Sequence, residues 1–184
     1  LFLGANLEVN IGERIAFLGG NGSGKSTLLR LIMGLEKPED GFIELGKHNV
    51  IPSYFEQNQA EALELEKTVI ETIYQSVPNW TQTEARSLLG SFGLSNDSVF
   101  KEVGEISGGE KARLALALMV VKPCNLLILD EPTNHLDIPS KQMLENAISS
   151  YQGTALIVSH DRYFISKVAN KIVEIRDGQL IMYR

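Results

Sequence analysis

Short apolar runs recur along the chain, and each one ends in a glycine-rich or charged stretch. Arg14-Ile15-Ala16-Phe17-Leu18 reads as a buried strand, and Leu28-Leu29-Arg30-Leu31-Ile32-Met33 as a helix closed by Gly34. Leu3 to Val9 has a strand pattern too, joined to Arg14–Leu18 by the turn Asn10-Ile11-Gly12-Glu13, and Phe42 to Leu45 reads as a short strand after the turn cluster Lys37-Pro38-Glu39-Asp40-Gly41. Val50 to Phe55 is a further strand, placed at a sheet edge by Pro52, which cannot donate to a ladder; it delivers Glu56-Gln57 to its end. Leu126 to Leu129 is wholly apolar and runs into Asp130-Glu131, and Ala155 to Val158 ends in Ser159-His160-Asp161. Ile172 to Arg176 and Leu180 to Tyr183 flank Asp177-Gly178, a two-residue hairpin signal.

Helical spacing predicts helices over Thr68 to Gln75, Thr81 to Phe92, Lys111 to Val121 and near Ser140 to Ser150, the second with Thr81 and Glu84 as a capping box. From Asn58 to Glu105 the composition is acidic and helical, which suggests a small helical lobe inserted into the α/β core, with Leu88, Leu89 and Phe92 as core residues. Strands that alternate with helices predict a mainly parallel sheet, whose carboxyl ends collect the reactive residues.

The stretch between the first buried strand and its helix, Gly19-Gly20-Asn21-Gly22-Ser23-Gly24-Lys25-Ser26-Thr27, has the form of a P-loop. Glycines let backbone N–H groups turn inward around a polyanion, and the helix N-terminus adds unpaired N–H groups and partial positive charge. Lys25 is then placed to reach the β- and γ-phosphates, Ser26 to ligate Mg²⁺ and Thr27 to cap another phosphate oxygen. Asp130 is placed to hold Mg²⁺ directly or through water, and Glu131 to orient and deprotonate an attacking water. The plainer alternative for this acidic pair is a cap on the turn after the strand.

Composition narrows the setting. With 184 residues, 43% hydrophobic and 22% charged, the chain has room for one well-packed domain of ordinary globular character. No apolar run approaches the roughly 18 residues that span a bilayer. A net charge of −6 argues against nonspecific nucleic-acid binding through this segment. One cysteine, Cys124, cannot form an internal disulfide; a reducing compartment is expected, either the cytoplasm or an organelle such as the chloroplast stroma. The chain opens at Leu1 without methionine and stops at Arg184 inside a strand pattern, so a piece of a longer polypeptide is expected.

Leu129-Asp130-Glu131-Pro132-Thr133-Asn134-His135-Leu136-Asp137, with Ile106-Ser107-Gly108-Gly109-Glu110-Lys111-Ala112-Arg113, resembles the nucleotide-binding domain of ATP-binding-cassette (ABC) proteins. Asn134-His135-Leu136-Asp137 and Ser159-His160-Asp161-Arg162-Tyr163-Phe164 are similar in wording to the ABC-F subfamily, which acts on ribosomes. The fold this implies is an α/β P-loop NTPase of the ABC type, with a mainly parallel sheet, a partial antiparallel β lobe and a helical lobe over about 58–105. The resemblance implies ATP and Mg²⁺ as cofactors and a second cassette as head-to-tail partner, in the same polypeptide or a homodimer. It makes Ser107, Gly108 and Gly109 the signature that caps ATP on the opposite cassette, and Gln57 the Q-loop residue touching Mg²⁺ and the attacking water. It makes His160 the switch histidine on the γ-phosphate and Asp137 the D-loop aspartate that touches the partner; His135 is expected to shape its loop and His48 to lie on the surface.

Two departures from the family pattern matter. The aromatic that stacks on adenine belongs upstream of the first strand seen here, and 58–105 leaves little room for the long helical arm of many first cassettes, so a second or armless cassette is expected. The leading expectation is an ABC-F ATPase cassette that switches a ribosome-associated factor between open and closed forms. A transporter cassette coupled to membrane-spanning partners is the alternative, and an ATP-binding scaffold without useful turnover is a third.

Overall fold

Ile15, Ala16 and Phe17 are fully buried because the strand that carries them, β1 (Arg14–Leu18), lies inside a sheet with a strand on each side. The computed structural model describes residues 2–46, 49–56, 59–134 and 136–183. They form two compact units. The first comprises Leu1–Glu56, Cys124–Thr133 and Ile148–Arg184, the second Gln57–Pro123 and Asn134–Ala147.

The first unit holds β1, α1 (Lys25–Ile32), β2 (Pro52–Glu56), β3 (Leu126–Asp130), β4 (Thr154–Val158), α6 (Arg162–Val168), β5 (Lys171–Arg176) and β6 (Gln179–Tyr183). The strand order is β2-β3-β4-β1-β5-β6. All neighbours are parallel except β5 and β6, which form a hairpin through Asp177 (φ 51°) and Gly178 (φ 75°), the paired positive φ values that a tight right-twisted hairpin turn requires. Leu28 and Leu29 of α1 pack with Ile15, Phe17, Ile128, Leu156, Val158 and Val173 into one apolar core, with Tyr54 at its margin. β2 is an edge strand that begins at Pro52, as its proline predicts.

The second unit contains α2 (Val69–Ser76), α3 (Gln82–Ser91), two 3₁₀ turns at Asn96–Phe100 and Val103–Glu105, α4 (Gly108–Val121) and the first residues of α5 (Ile138–Ser150). Thr68, Thr81 and Ser107 each cap a helix with a glutamate three residues on, Glu71, Glu84 and Glu110, in a reciprocal capping box. Leu89 and Phe92 are buried and Leu88 is half-buried. The unit takes in α4 and the start of α5 as well as the segment 58–105.

Local pattern misled at several places. Leu3 to Val9 and Phe42 to Leu45 are not strands. A strand exists through its ladder, and among the described residues neither segment has a paired neighbour: Leu3 N–H donates to the Gly178 carbonyl at 3.1 Å, and Phe42 is 83% exposed. α4 starts at Gly108 rather than Lys111, because the Ser107–Glu110 box carries two glycines into the first turn. α5 starts at Ile138 rather than Ser140. α6 was not anticipated; Asp161 caps it by accepting the Phe164 N–H at 3.0 Å.

Candidate functional site

Because β2, β3, β4 and β1 are parallel neighbours, their carboxyl ends lie along one edge of the sheet. The register puts Asp130 level with Val158 of β4, and Val158 level with Phe17 of β1. The loop after β1 and the acidic pair at the end of β3 therefore face the same space, although Ser26 and Asp130 are 104 positions apart in sequence.

The loop after β1 is shaped for a polyanion. A Cβ on Gly19 would stand 2.9 Å from the Ile175 carbonyl and 2.5 Å from Ser23 Oγ, so only glycine fits there. Gly24 holds φ 98° at the N-cap of α1 and no side chain caps the helix, which leaves its first N–H groups to a ligand. Ser23 Oγ is buried without a hydrogen-bond partner. An orphaned hydroxyl inside a glycine loop fits a phosphate oxygen as its missing acceptor. Lys25 is 8% exposed, and its Nζ donates to the Gly19 and Gly20 carbonyls at 2.9 and 3.0 Å. Two of its three protons thus brace the loop. Thr27 lies in the first turn of α1, half-buried, and Asn21 is exposed at the loop tip.

Asp130 is held at both oxygens. Ser26 Oγ donates to Oδ1 at 3.2 Å and the Tyr54 hydroxyl donates to Oδ2 at 3.0 Å. A hydroxyl beside a carboxylate is a hard oxygen pair of the type Mg²⁺ selects. Among the described residues no group of three or more His, Cys, Asp or Glu side chains forms a metal cluster. Mg²⁺ is commonly bound by one or two carboxylates together with substrate phosphates. Ser26 and Asp130 would hold the ion. Gln57, the remaining expected ligand, lies outside the described residues, as do His48 and His135.

Glu131 has φ 50°, a left-handed conformation that a glutamate pays to adopt, and its N–H donates to the Val158 carbonyl at 2.8 Å. Its carboxylate is 16% exposed; Oε2 accepts the His160 backbone N–H at 3.2 Å, and His160 Nε2 stands 3.3 Å from Oε1 without the alignment of a hydrogen bond. The two loops are also tied together by the buried contact of Thr133 Oγ1 with Ser159 Oγ at 3.1 Å. Ser159 Oγ in turn accepts the Asp161 N–H at 3.1 Å. Glu131 thus follows Asp130 directly in sequence, and the backbone of His160 is held against it from the end of the neighbouring strand.

In the second unit, the Ser107 N–H and hydroxyl donate to Glu110 Oε2 at 2.8 and 2.7 Å, and Glu110 N–H donates to Ser107 Oγ at 3.3 Å. The Ser107 hydroxyl and N–H hold the Glu110 carboxyl below the usual range. Gly108 has open space where a Cβ would stand; at Gly109 a Cβ would meet Arg113 Nη1 and Asp137 Oδ2 at 3.5 Å each. Asp137 Oδ1 accepts the Ser140 N–H at 2.8 Å, and Oδ2 is 3.7 Å from Arg113 Nη1. Ser140, with a smaller contribution from Arg113, keeps the Asp137 carboxyl low.

The protein-family model described as "ABC transporter" matches residues 2–134. The chain belongs to this family. It is an ATPase cassette of the ABC type, and its mostly parallel sheet with one antiparallel pair is the expected α/β fold. It is 57% identical over 183 residues, 100% of this chain, to ABC transporter F family members 2 and 5 of Arabidopsis thaliana, covering 27% and 26% of their lengths. The chain thus spans about a quarter of the relatives it matches. Among solved structures it is similar to one titled "RNase-L Inhibitor", with a TM-score of 0.70 and 30% identity over 93% of this chain and 34% of that one. These resemblances agree with an ABC-F type of cassette.

Sequence reading missed several residues of this ABC cassette. Tyr54 went unnoticed because its partner, Asp130, is 76 positions away; its position three residues before Gln57 was the available signal. The Arg113–Asp137 ion pair and the Ser159–Thr133 hydroxyl pair are likewise long-range contacts without a sequence pattern of their own. Glu110 could have been found, since Ser107-Gly108-Gly109-Glu110 has capping-box spacing.

Proposed function

We propose that this cassette binds Mg·ATP at the loop Gly19–Thr27 and hydrolyses it to drive open and closed states of a translation-associated ABC-F factor. The observation that carries this reading is the Ser26–Asp130 pair, with Glu131 following at once and His160 held against it. Backbone N–H groups of the loop and Lys25 hold the β- and γ-phosphates. Glu131 accepts a proton from water as the water oxygen bonds to the γ-phosphorus; the bond from that phosphorus to the β–γ bridging oxygen breaks, and ADP leaves with the electron pair. His160 contacts the γ-phosphate oxygens, whose charge is redistributed in the transition state. A bound Mg²⁺ would neutralise phosphate charge, with Ser26, Asp130 and Gln57 as its protein ligands.

Ser107, Gly108 and Gly109, at the N-terminus of α4, form the signature surface for ATP carried by a second cassette, and Asp137 meets that partner. The pairing is head-to-tail, within one polypeptide or between two, and the setting is the cytoplasm or a reducing organelle. No helix among the described residues is long and apolar enough to cross a membrane.

The test uses the full-length protein. Glu131→Gln with ATP is expected to co-sediment with ribosomes, and Ser107→Arg added to it to lose that co-sedimentation. Recovery with a membrane-spanning subunit instead, and no ATP-dependent ribosome binding, would replace the translation reading with the transporter one. Absence of ATP turnover by the wild-type protein would favour a nucleotide-binding scaffold.

A further inference from the structure

Tyr54 stands on the edge strand β2, level with Ile128 of β3, so it shares a face with Ile128 and with Asp130 two residues on. Two residues of strand cover roughly 6.6 Å, about the reach of a tyrosine, and the hydroxyl arrives at Asp130 Oδ2 at 3.0 Å. The ring packs against the apolar core that contains Ile128, which fixes its direction. The geometry points to Tyr54 as a positioning residue for the metal-binding aspartate, setting how strongly the site takes up its divalent ion. This deepens the ATPase reading of the site and rests on it.

The physical reason lies in the aspartate itself. Rotation of a carboxylate about its terminal bond is soft and nearly two-fold, so an aspartate with one partner samples a broad arc. Ser26 holds Oδ1 at 3.2 Å, but its hydroxyl is also the group that would ligate the ion, so it is a poor fixed anchor. Tyr54 bonds the opposite oxygen from a neighbouring strand and keeps the carboxylate plane turned with Oδ1 towards Ser26. A hydrogen-bonded partner behind a metal ligand typically changes metal affinity or activity by about 10- to 100-fold.

The test is Tyr54→Phe in the full-length protein, which keeps the ring and removes only the hydroxyl. Nucleotide binding in EDTA, Mn²⁺ binding in the presence of ATP read by electron paramagnetic resonance, and the Mg²⁺ dependence of turnover are compared with wild type. Binding in EDTA is expected to stay unchanged, while the Mn²⁺ dissociation constant and half-saturating Mg²⁺ rise by about tenfold. A metal midpoint within twofold of wild type overturns the proposal, whatever happens to thermal stability. Asp130→Asn is the reference. If it loses the metal response while Tyr54→Phe keeps it, the site reading stands and the role of Tyr54 fails; if Asp130→Asn also keeps it, the metal site itself has been misplaced.

Discussion

Glu131 and His160 meet at the ends of adjacent strands: the His160 backbone N–H donates to Glu131 Oε2 at 3.2 Å, and its imidazole Nε2 lies 3.3 Å from Oε1. The main-chain bond fixes where the carboxylate points, and the imidazole stays 62% exposed and free to meet a γ-phosphate. Replacing Glu131 with glutamine keeps an acceptor for that N–H but removes the base. Turnover in the full-length protein should fall by at least about a hundredfold with ATP binding retained, as measured by phosphate release and by nucleotide binding. Near-normal turnover would assign water activation to another group.

Lys25, the proposed phosphate ligand, also braces its own loop. With Nζ donating to the Gly19 and Gly20 carbonyls, Lys25→Ala should lose a few degrees of Tm without nucleotide, along with at least about tenfold in ATP affinity. Calorimetry and equilibrium nucleotide binding check the two effects separately.

At the head of α4, the Glu110 carboxylate sits beside the proposed anion site and engages the Ser107 hydroxyl at 2.7 Å. Glutamine preserves the capping geometry and deletes the charge. Glu110→Gln should lower the ATP concentration needed for half-maximal closure by about two- to fivefold, the scale of one charge at a helix terminus. An unchanged or higher value would mean that this charge is not felt by the bound nucleotide.

Glu13 supplies one acid-sensitive link of the sheet unit. It pairs with Lys171, and its Oε1 and Oε2 accept from Asn10 Nδ2 and the Asn10 N–H at 3.0 and 3.1 Å. The Lys171 hydrogen bond, more than the other contributions, holds its carboxyl below the ordinary 4.5. A depressed carboxylate stabilises the fold fully above its unfolded value and loses that effect as pH falls through its folded value. Wild type should therefore exceed Glu13→Gln in Tm at pH 7, with the gap closing progressively once pH drops below about 4.5. Parallel Tm curves over that range would remove Glu13 from the acid response.

What the sequence determined by itself is the local chemistry. Gly19 to Thr27 reads as a phosphate loop from its glycine spacing between a buried strand and a helix, and the acidic pair Asp130-Glu131 is expected at the strand's end because the four residues before it are wholly apolar. The hairpin at Asp177-Gly178 and the edge position of Pro52 follow from residue types that restrict the backbone in isolation. Tertiary structure decided everything that needs two distant segments at once. Leu3 to Val9 and Phe42 to Leu45 have strand composition but no ladder among the described residues, Glu131 is held at φ 50°, and Tyr54 reaches Asp130 across 76 positions. Periodicity reports which face of an element is apolar, whereas these outcomes depend on sheet order and register, which put Asp130 level with Val158 and bring hydroxyls from β2 and α1 to its two oxygens.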